Sequence, residues 1–289
     1  MKVVIIGGVA GGATAAARIR RLDEKAEIVV FERSGFISYA NCGLPYYIGG
    51  TIEDEGDLTL QTPESFYKRF RVKMNVRHEV TALHPESKMV TVKNIENGTV
   101  FTETYDKLIL SPGAKPIKPN FEGIDSDKIF TLRTVEDTLK IKKFINEKYP
   151  KSAVVVGGGF IGIEVAENLR ELGIDVTLVE AADQLMAPFD SDMASFIHAE
   201  LRKNGINLML GRFVEGFADT DDGICVKLKN SPTLHANMVV MAIGVAPETT
   251  LAKDAGLELG IKGSIVVNDR METSVTDIYV LRGKVQALP

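Results

Sequence analysis

Residues 2–32 read KVVIIGGVAGGATAAARIRRLDEKAEIVVFER, and this stretch decides which fold class the sequence predicts. A short apolar strand runs into a glycine turn, a helix of small residues follows, and a second apolar strand ends in Glu32. Residues 153–180 repeat this order as AVVVGGGFIGIEVAENLRELGIDVTLVE and end in Glu180. Continuous Val and Ile runs on either side of a helix are typical of parallel strands that are buried on both faces. The sequence therefore predicts an α/β protein with two βαβ units.

The glycine turn of the second unit has the full spacing of a dinucleotide-binding loop. Gly157, Gly159 and Gly162 follow the pattern G-x-G-x-x-G, in which glycine lets the backbone approach a pyrophosphate and lets the helix pack closely on the strand. The helix N-terminus offers free N–H groups to the phosphates, and Glu180 stands where an acid binds a ribose 2′-hydroxyl. Two alanines follow Glu180, with no Arg or Lys next to them in the sequence. We therefore predict NADH in preference to NADPH.

The first unit departs from this pattern at one position. Gly7 and Gly12 match it, whereas Val9 occupies the place of the middle glycine. Glu32 again ends the second strand, so the strand context and the terminal acid occur in both units. We predict a second dinucleotide site in the first unit for this reason.

The rest of the chain supplies strands and helices around the two units. A hairpin is predicted at Asn97-Gly98, because strand-like alternating residues flank this pair. The other predicted elements are a strand at 107–110, a helix at 137–147, a helix at 190–204 and a strand at 239–243. Together they predict two interleaved Rossmann-like dinucleotide-binding domains with central parallel sheets and small antiparallel β inserts. We expect residues 1–115 and 244–289 to form one domain and residues 116–243 to form the other.

Composition limits the classes of function. A net charge of −5 over 289 residues gives no basic surface for nucleic acid or for an anionic membrane. The N-terminal apolar run ends at Gly7 and is too short for a signal peptide or a membrane span. The four histidines have no metal-ligand spacing, so no metal site is predicted. Two cysteines do not indicate a disulfide framework, and we expect a cytoplasmic protein.

Cys42 stands alone in the run SYANCGLPYYIGG, residues 38–50. Its neighbours are polar or small, and Pro45 is placed to begin a helix. A thiol next to a helix N-terminus ionises more easily and is a better nucleophile. No second cysteine lies at CxxC or CxxxxC spacing, so Cys42 is expected to cycle through a sulfenic acid, a persulfide or a mixed disulfide with a small thiol. Cys225, in the alternating run ICVKL, is interpreted as a small buried apolar residue.

These residues resemble the flavin-dependent pyridine nucleotide–disulfide oxidoreductases. Within that family they resemble most the single-cysteine branch, which comprises coenzyme A-disulfide reductases and related persulfide or polysulfide reductases. The resemblance runs from Met1 to the region of Val280, and SYANCGLPYYIGG is its most specific part. It implies FAD on the first unit, NADH or NADPH on the second, and reduction of a Cys42 adduct. The implied substrate is a small-molecule disulfide or persulfide linked to coenzyme A.

The resemblance also implies roles for individual residues. Phe160 matches an aromatic gate over the nicotinamide side of the flavin, and Glu164 is expected to face the same pocket. The implied catalytic residues are Cys42, Ser38 and Asn41. The implied cofactor-binding residues are Gly7, Gly12, Glu32, Val80, Gly113, Gly157, Gly159, Phe160, Gly162, Glu164, Glu180 and Gly244. The implied substrate-binding residues are Thr14, Arg18 and Arg21, since arginines pair well with the phosphates of coenzyme A.

Two alternatives stay open. In the related NADH peroxidases and oxidases a histidine precedes the paired glycines of the first turn, where this chain has Ala10. An NADH oxidase or peroxidase that works through a Cys42 sulfenic acid is therefore the second hypothesis. The family also continues into an Ala-x-Gly-Asp turn and a dimerisation domain, and its full-length members are homodimers. Residues 280–289 read VLRGKVQALP, so we expect the C-terminal dimerisation domain to be absent, and the third hypothesis is a nucleotide-binding fragment of impaired activity.

Overall fold

A computed structural model describes residues 1–281 and 285–287 of the chain. The helices are α1 Ala10–Leu22, α2 Leu44–Gly49, α3 Pro63–Phe70, α4 Val135–Lys148, α5 Phe160–Glu171, α6 Ser191–Lys203 and α7 Thr250–Asp254. The strands are β1 Lys2–Ile6, β2 Glu27–Glu32, β3 Lys73–Val76, β4 His78–His84, β5 Met89–Asn94, β6 Val100–Thr104, β7 Lys107–Leu110, β8 Ala114–Pro116, β9 Ile129–Thr131, β10 Ser152–Val156, β11 Asp175–Val179, β12 Asn207–Met209, β13 Val214–Asp219, β14 Ile224–Leu228, β15 Leu234–Ala236, β16 Met238–Met241, β17 Val245–Pro247, β18 Ile265–Val267, β19 Ile278–Val280 and β20 Val285–Ala287.

These elements form two compact units, each assembled from separate stretches of the chain. Unit 1 comprises Met1–Ala40, Thr59–Lys115 and Ala246–Pro289, and unit 2 comprises Asn41–Leu58 and Pro116–Val245. The predicted fold class, α/β with two interleaved units, is confirmed. The predicted division differs in one segment, because residues 41–58 belong to unit 2 rather than to the first domain. The physical reason is that α2 packs against α4 and α5.

Unit 1 is built on a five-stranded sheet in the order β19-β7-β1-β2-β3, in which every neighbouring pair is parallel. Strand β1 sends Val4 and Ile6 into one apolar cluster, and Val3 and Ile5 into another. Because both faces of the strand are buried, consecutive positions must be apolar, which explains the unbroken run in the sequence. The antiparallel sheet β4-β5-β6 contains the predicted hairpin, and Gly98 in its turn has a φ of +76°.

Unit 2 repeats this architecture. Its five-stranded parallel sheet has the order β12-β11-β10-β16-β9, and an antiparallel sheet β13-β14-β15 lies in the chain between β12 and β16. In each unit the strand before the glycine turn is central, β1 in unit 1 and β10 in unit 2. The next two strands of the sheet lie on one side of it, β2 and β3 in unit 1 and β11 and β12 in unit 2. The sheet strand after those, β7 or β16, lies on the other side. The outermost strand differs, since β19 comes last in unit 1 whereas β9 precedes the glycine turn of unit 2. The sequence repeat is thus a repeat of fold.

The remaining predicted elements are present with small shifts at their ends. The helix predicted at 137–147 is α4, which begins earlier because Thr134 caps it and its side chain accepts the N–H of Asp137. The helix predicted at 190–204 is α6, and Asp190 and Asn204 are its capping residues. The strand predicted at 239–243 is β16, and the strand at 107–110 is β7. Periodicity therefore placed these elements correctly.

The departure from the family pattern predicted after Val280 includes residues 282–284 and 288–289, which lie outside the described residues. None of the helices in the described part of the chain has both the length and the apolar character that a membrane-spanning segment needs.

Candidate functional site

In unit 1, strand β1 turns directly into α1 through glycines. Gly7 has a φ of +97°, which favours glycine, and its N–H donates to the carbonyl oxygen of Phe31 at 2.8 Å. A Cβ on Gly12 would lie 1.8 Å from the carbonyl oxygen of Gly7, so glycine is needed for α1 to approach the turn. The N–H of Gly8 donates to Oε2 of Glu32 at 2.7 Å. The turn thereby holds the acid at the end of β2 beside the start of α1.

Unit 2 makes the same contacts. Gly157 has a φ of +111°, and its N–H donates to the carbonyl oxygen of Val179 at 2.8 Å. A Cβ on Gly162 would lie 1.9 Å from the carbonyl oxygen of Gly157. The N–H of Gly158 donates to Oε2 of Glu180 at 2.6 Å. Both turns therefore place an acid, a helix start and closely packed glycines in the same arrangement.

The third residue of each turn distinguishes the two units. Val9 has a φ of −91° and Gly159 a φ of −83°, and residues with side chains adopt such negative values readily. A Cβ on Gly159 would meet no described atom within 4 Å beyond its chain neighbours. The fold therefore does not require glycine at position 159, and Val9 is compatible with the first turn. Glycine at 159 leaves open space in front of α5.

Both turns fit the phosphate and ribose groups of a dinucleotide. Among the described residues, no side chain caps the N-terminus of α1 or of α5, and a helix N-terminus with uncapped N–H groups favours anions. Oε1 of Glu32 accepts the N–H of Ser34 at 2.8 Å, and Oε1 of Glu180 accepts the N–H of Ala182 at 2.7 Å. Each carboxylate is thus fixed by backbone donors on both oxygens and keeps capacity for a ribose hydroxyl.

Helix α5 presents Phe160 and Glu164 one turn apart, hence on the same side. Phe160 is the first residue of the helix and is 64% exposed. Its ring meets the ring of Phe189 edge-on, with 6.5 Å between the centroids. Burial raises the pKa of the Glu164 carboxyl, and the nearby charge of Glu167 raises it further. The structure thus leaves an exposed aromatic ring at the start of α5 and a partly buried acid behind it.

The raised pKa of Glu164 predicts how stability depends on pH. A carboxyl whose pKa is higher in the folded chain binds more protons when folded, so its contribution to stability is present below the unfolded pKa and is lost as the pH rises through the folded pKa. We expect Glu164→Gln to raise the urea midpoint of unfolding above neutral pH and to change it less in acid, near the ordinary pKa of a glutamate. Glu171→Gln, at an exposed position of the same helix, is the control. A Glu164→Gln chain that is less stable than the parent above neutral pH would contradict the effect of burial.

Cys42 lies on a short turn that is anchored to unit 2. Residues Asn41–Gly43 form a 3₁₀ turn that leads into α2, and Pro45 lies in the first turn of that helix, as predicted. The Cys42 side chain is exposed. Nδ2 of Asn41 donates to the carbonyl oxygen of Arg133 at 2.7 Å. The thiol therefore faces solvent, and Asn41, the residue before it in the turn, is tied to the chain before α4.

Helix α2 follows the cysteine and packs against α4 and α5. Nζ of Lys142 on α4 donates to the carbonyl oxygen of Ile48 at 2.8 Å, which satisfies one of the free carbonyls at the end of α2. A Cβ on Gly49 would lie 2.1 Å from Oδ1 of Asn168 on α5. Glycine at position 49 therefore permits the close approach of these two helices.

Helix α2, which carries Tyr46, packs against α5, which carries Glu164. The negative charge of Glu164 is the largest cause of the raised pKa of Tyr46, followed by burial, the charge of Glu167 and the charge of Cys42. Charges act on one another strongly only at short range in a solvated protein. The cysteine segment and α5 thus lie together in unit 2, although the sequence predicts them in different domains.

The other predicted catalytic and substrate residues lie in unit 1. Ser38 has a φ of +50°, and its N–H donates to the carbonyl oxygen of Gly8 at 3.1 Å, so the first glycine turn fixes its backbone. Thr14, Arg18 and Arg21 are all exposed on α1. Their spacing places them along one side of the helix. The two guanidinium groups therefore form a basic strip that faces solvent.

The remaining predicted cofactor residues occupy special backbone positions. Val80 is 6% exposed in β4, beside an irregularity in the pairing of β4 with β5, so its side chain belongs to the core of unit 1. Gly113 has a φ of +75° and its carbonyl oxygen accepts the N–H of Glu248 at 3.1 Å. Gly244 has a φ of +117° and its carbonyl oxygen accepts the N–H of Ile117 at 3.0 Å. Both glycines mark turns close to where the chain changes unit.

The structure places Arg212 beside Glu180, which was not predicted from the sequence. The N–H of Arg212 donates to the carbonyl oxygen of Glu180 at 2.9 Å. The expected lack of a basic neighbour therefore holds for the residues directly after Glu180, but not for the folded chain around it. Arg212 comes after β12, which pairs with β11 in parallel. No signal in a single sequence reveals which distant loop ends next to this acid.

Cys225 differs from its interpretation as a core residue. It is only partly buried, and its Sγ lies 3.3 Å from Nδ1 of His235 on the paired strand β15. Its immediate neighbour is thus an imidazole. Among the described residues, no group of three or more His, Cys, Asp or Glu side chains is placed to hold a metal ion.

Comparison with known proteins finds the same family across the chain. The family model described as pyridine nucleotide-disulphide oxidoreductase matches residues 1–282. A curated relative is the coenzyme A disulfide reductase of Staphylococcus aureus (strain JH9). It is 40% identical over 280 residues, which cover 97% of this chain and 62% of that relative.

Two solved structures are also similar to this chain. The crystal structure of reduced Bacillus anthracis CoADR-RHD matches with a TM-score of 0.94 and 48% identity, over 96% of this chain and 50% of that one. The structure of a NAD-dependent persulfide reductase from A. fulgidus matches with a TM-score of 0.92 and 36% identity, over 97% of this chain and 52% of that one. The chain thus spans less than two thirds of the length of each of these relatives.

Proposed function

The chain belongs to the pyridine nucleotide-disulphide oxidoreductase family, and on that premise we propose that it uses NADH or NADPH, with FAD, to reduce a small-molecule disulfide or persulfide through Cys42. The observation that carries this proposal is the exposed Cys42 thiol on a segment that packs in the same unit as the Gly157–Gly162 turn. Relatives named coenzyme A disulfide reductase and persulfide reductase support a coenzyme A disulfide or a persulfide as the substrate.

The two glycine turns would hold the two nucleotides. When bound, FAD would supply two-electron transfer from the dihydronicotinamide to the disulfide or persulfide adduct of Cys42. In unit 2, Glu180 accepts a hydrogen bond from the ribose 2′-hydroxyl, which favours NADH. The residues proposed for FAD are Gly7, Gly12, Glu32, Val80 and Gly113. The residues proposed for the pyridine nucleotide are Gly157, Gly159, Phe160, Gly162, Glu164, Glu180 and Gly244.

Cys42 is the proposed nucleophile. Its thiolate attacks one sulfur of the disulfide, the S–S bond of the substrate breaks, an Sγ–S bond forms, and one thiol leaves and takes a proton from solvent. Two electrons from the pyridine nucleotide then break the mixed disulfide, which restores the Cys42 thiolate and releases the second thiol after protonation. The Asn41 side chain holds the turn through the carbonyl oxygen of Arg133, and Ser38 is proposed as a further catalytic residue on the basis of the family resemblance.

The basic strip on α1 is proposed to bind the phosphates of a coenzyme A-linked substrate. Arg18 and Arg21 each offer a planar set of donors that suits phosphate oxygens, and Thr14 adds a hydroxyl. The exposure of all three side chains supports this role. Their contribution would be to affinity for the substrate rather than to the chemistry at sulfur.

The identity of the electron acceptor tests the proposal. NADH oxidation by the purified chain, supplied with FAD, is followed with coenzyme A disulfide, a polysulfide, hydrogen peroxide or dissolved oxygen as the acceptor. We expect coenzyme A disulfide or the polysulfide to drive oxidation, with two thiols released per NADH when the disulfide is used. Oxidation driven only by peroxide or oxygen would support the oxidase or peroxidase hypothesis instead. Nucleotide binding without turnover on any acceptor would support the fragment hypothesis.

A further inference from the structure

We infer that Arg212 is a specificity-determining residue that binds the 2′-phosphate of NADPH beside Glu180, so that unit 2 accepts NADPH as well as NADH. The inference rests on the proposed function, since it takes the Gly157–Gly162 turn to be the pyridine nucleotide site. It differs from the sequence-based expectation, in which no cation accompanies Glu180.

Backbone hydrogen bonds hold Arg212 at the acid. Strands β11 and β12 are parallel neighbours, so their carboxyl ends lie at the same edge of the sheet. Beyond them, the N–H of Arg212 donates to the carbonyl oxygen of Glu180, and the N–H of Gly211 donates to the carbonyl oxygen of Ala182, both at 2.9 Å. Two bonds between the same two segments restrict their relative movement. The pairing of β11 with β12 and these two hydrogen bonds thus place Arg212 next to Glu180.

The guanidinium group of Arg212 is available to a ligand. The residue is exposed, and within the described part of the chain its guanidinium makes one hydrogen bond, from Nη1 to the carbonyl oxygen of Gly211 at 3.3 Å, and no ion pair. Asp183 approaches the same loop, since a Cβ on Gly211 would lie 3.1 Å from its Oδ1. The loop that carries Arg212 therefore lies near both Glu180 and Asp183, at the edge where an adenine ribose would bind.

Glu180 and Arg212 suit different ribose substituents. The Glu180 carboxylate is fixed by the N–H groups of Gly158 and Ala182, so it accepts a hydrogen bond from a 2′-hydroxyl and repels a 2′-phosphate. A guanidinium group binds phosphate oxygens through paired, charge-assisted hydrogen bonds. NADH would bind through its 2′-hydroxyl to Glu180. NADPH would bind through its 2′-phosphate to Arg212, despite the repulsion between that phosphate and Glu180. Both nucleotides are therefore accepted, with NADH retaining an advantage.

The test measures nucleotide binding and needs no turnover. Dissociation constants for NAD⁺ and NADP⁺ are measured by calorimetry on the full chain and on Arg212→Gln, with no disulfide present. A hydrogen bond to a charged group contributes enough that its loss should weaken NADP⁺ binding by about tenfold or more. NAD⁺ binding should change by less than about twofold, because its 2′-hydroxyl is bound by Glu180. Arg212 is exposed, so the variant should fold like the parent.

Arg202→Gln is the matched control, because Arg202 is also exposed and lies at the end of α6, at the opposite end of β12 from Arg212. It removes the same charge and should leave the ratio of the two dissociation constants unchanged. If the parent binds NAD⁺ and Arg212→Gln also leaves that ratio unchanged, the role of Arg212 is wrong while the nucleotide site stands. If the parent binds neither nucleotide, the nucleotide site of the proposed function is wrong as well.

Discussion

Replacing Cys42 by serine is expected to reduce disulfide-driven oxidation of NADH to the uncatalysed rate. A serine hydroxyl cannot form the mixed disulfide through which a thiol exchanges with its substrate, so no later step can compensate for the change. The side chain is exposed, and the substitution should leave the fold and NAD⁺ binding intact. The measurement compares NADH oxidation with coenzyme A disulfide between the two proteins, alongside mass spectrometry of Cys42 in the parent. That spectrum should show a coenzyme A or persulfide adduct.

Cys225→Ser is the matched control for this prediction. It makes the same chemical change in unit 2, at a thiol whose neighbour is His235. We expect it to retain the rate of the parent. Undiminished activity in Cys42→Ser, or equal losses in both variants, would show that Cys42 is not the nucleophile.

Gly162→Ala is expected to destabilise the protein by about 3 kcal/mol, the upper end of what overpacking usually costs. The new Cβ would lie 1.9 Å from the carbonyl oxygen of Gly157, and a backbone atom cannot rotate away as a side chain can. Alanine favours a helix over glycine by up to about 1 kcal/mol, which offsets only part of this cost. Denaturant unfolding measures the change. Gly12→Ala should behave alike, because its Cβ would lie 1.8 Å from the carbonyl oxygen of Gly7.

Gly159→Ala changes a glycine that the fold does not require but that the proposed nucleotide site does. It adds the same methyl group in the same turn, but its φ is negative and the Cβ meets no described atom within 4 Å beyond its chain neighbours. We expect the free energy of unfolding to change by less than about 0.5 kcal/mol. Binding of NAD⁺ should weaken, because the methyl group enters the space in front of α5. Normal NAD⁺ binding by Gly159→Ala would contradict this placement of the pyrophosphate.

The sequence predicted those parts of the fold and site that depend on neighbouring residues. Both glycine turns, with Gly7 and Gly157 at positive φ and an acid at the end of the second strand, follow from short-range geometry that recurs in each copy. The apolar runs predicted parallel strands because burial on both faces leaves no polar position. Pro45 likewise predicted the start of α2. Each of these inferences needed only a window of one βαβ unit or less.

By itself the sequence determined two interleaved dinucleotide-type units and an isolated thiol between their glycine turns. Only the tertiary structure decided that residues 41–58 pack in unit 2, that Arg212 lies beside Glu180, and that Cys225 contacts His235. These contacts join residues that are far apart in the chain, and hydrophobic periodicity shows which face of an element is buried without showing against which partner. The choice of partner depends on how whole strands and helices pack, as when Gly49 admits Asn168 so that α2 can lie against α5.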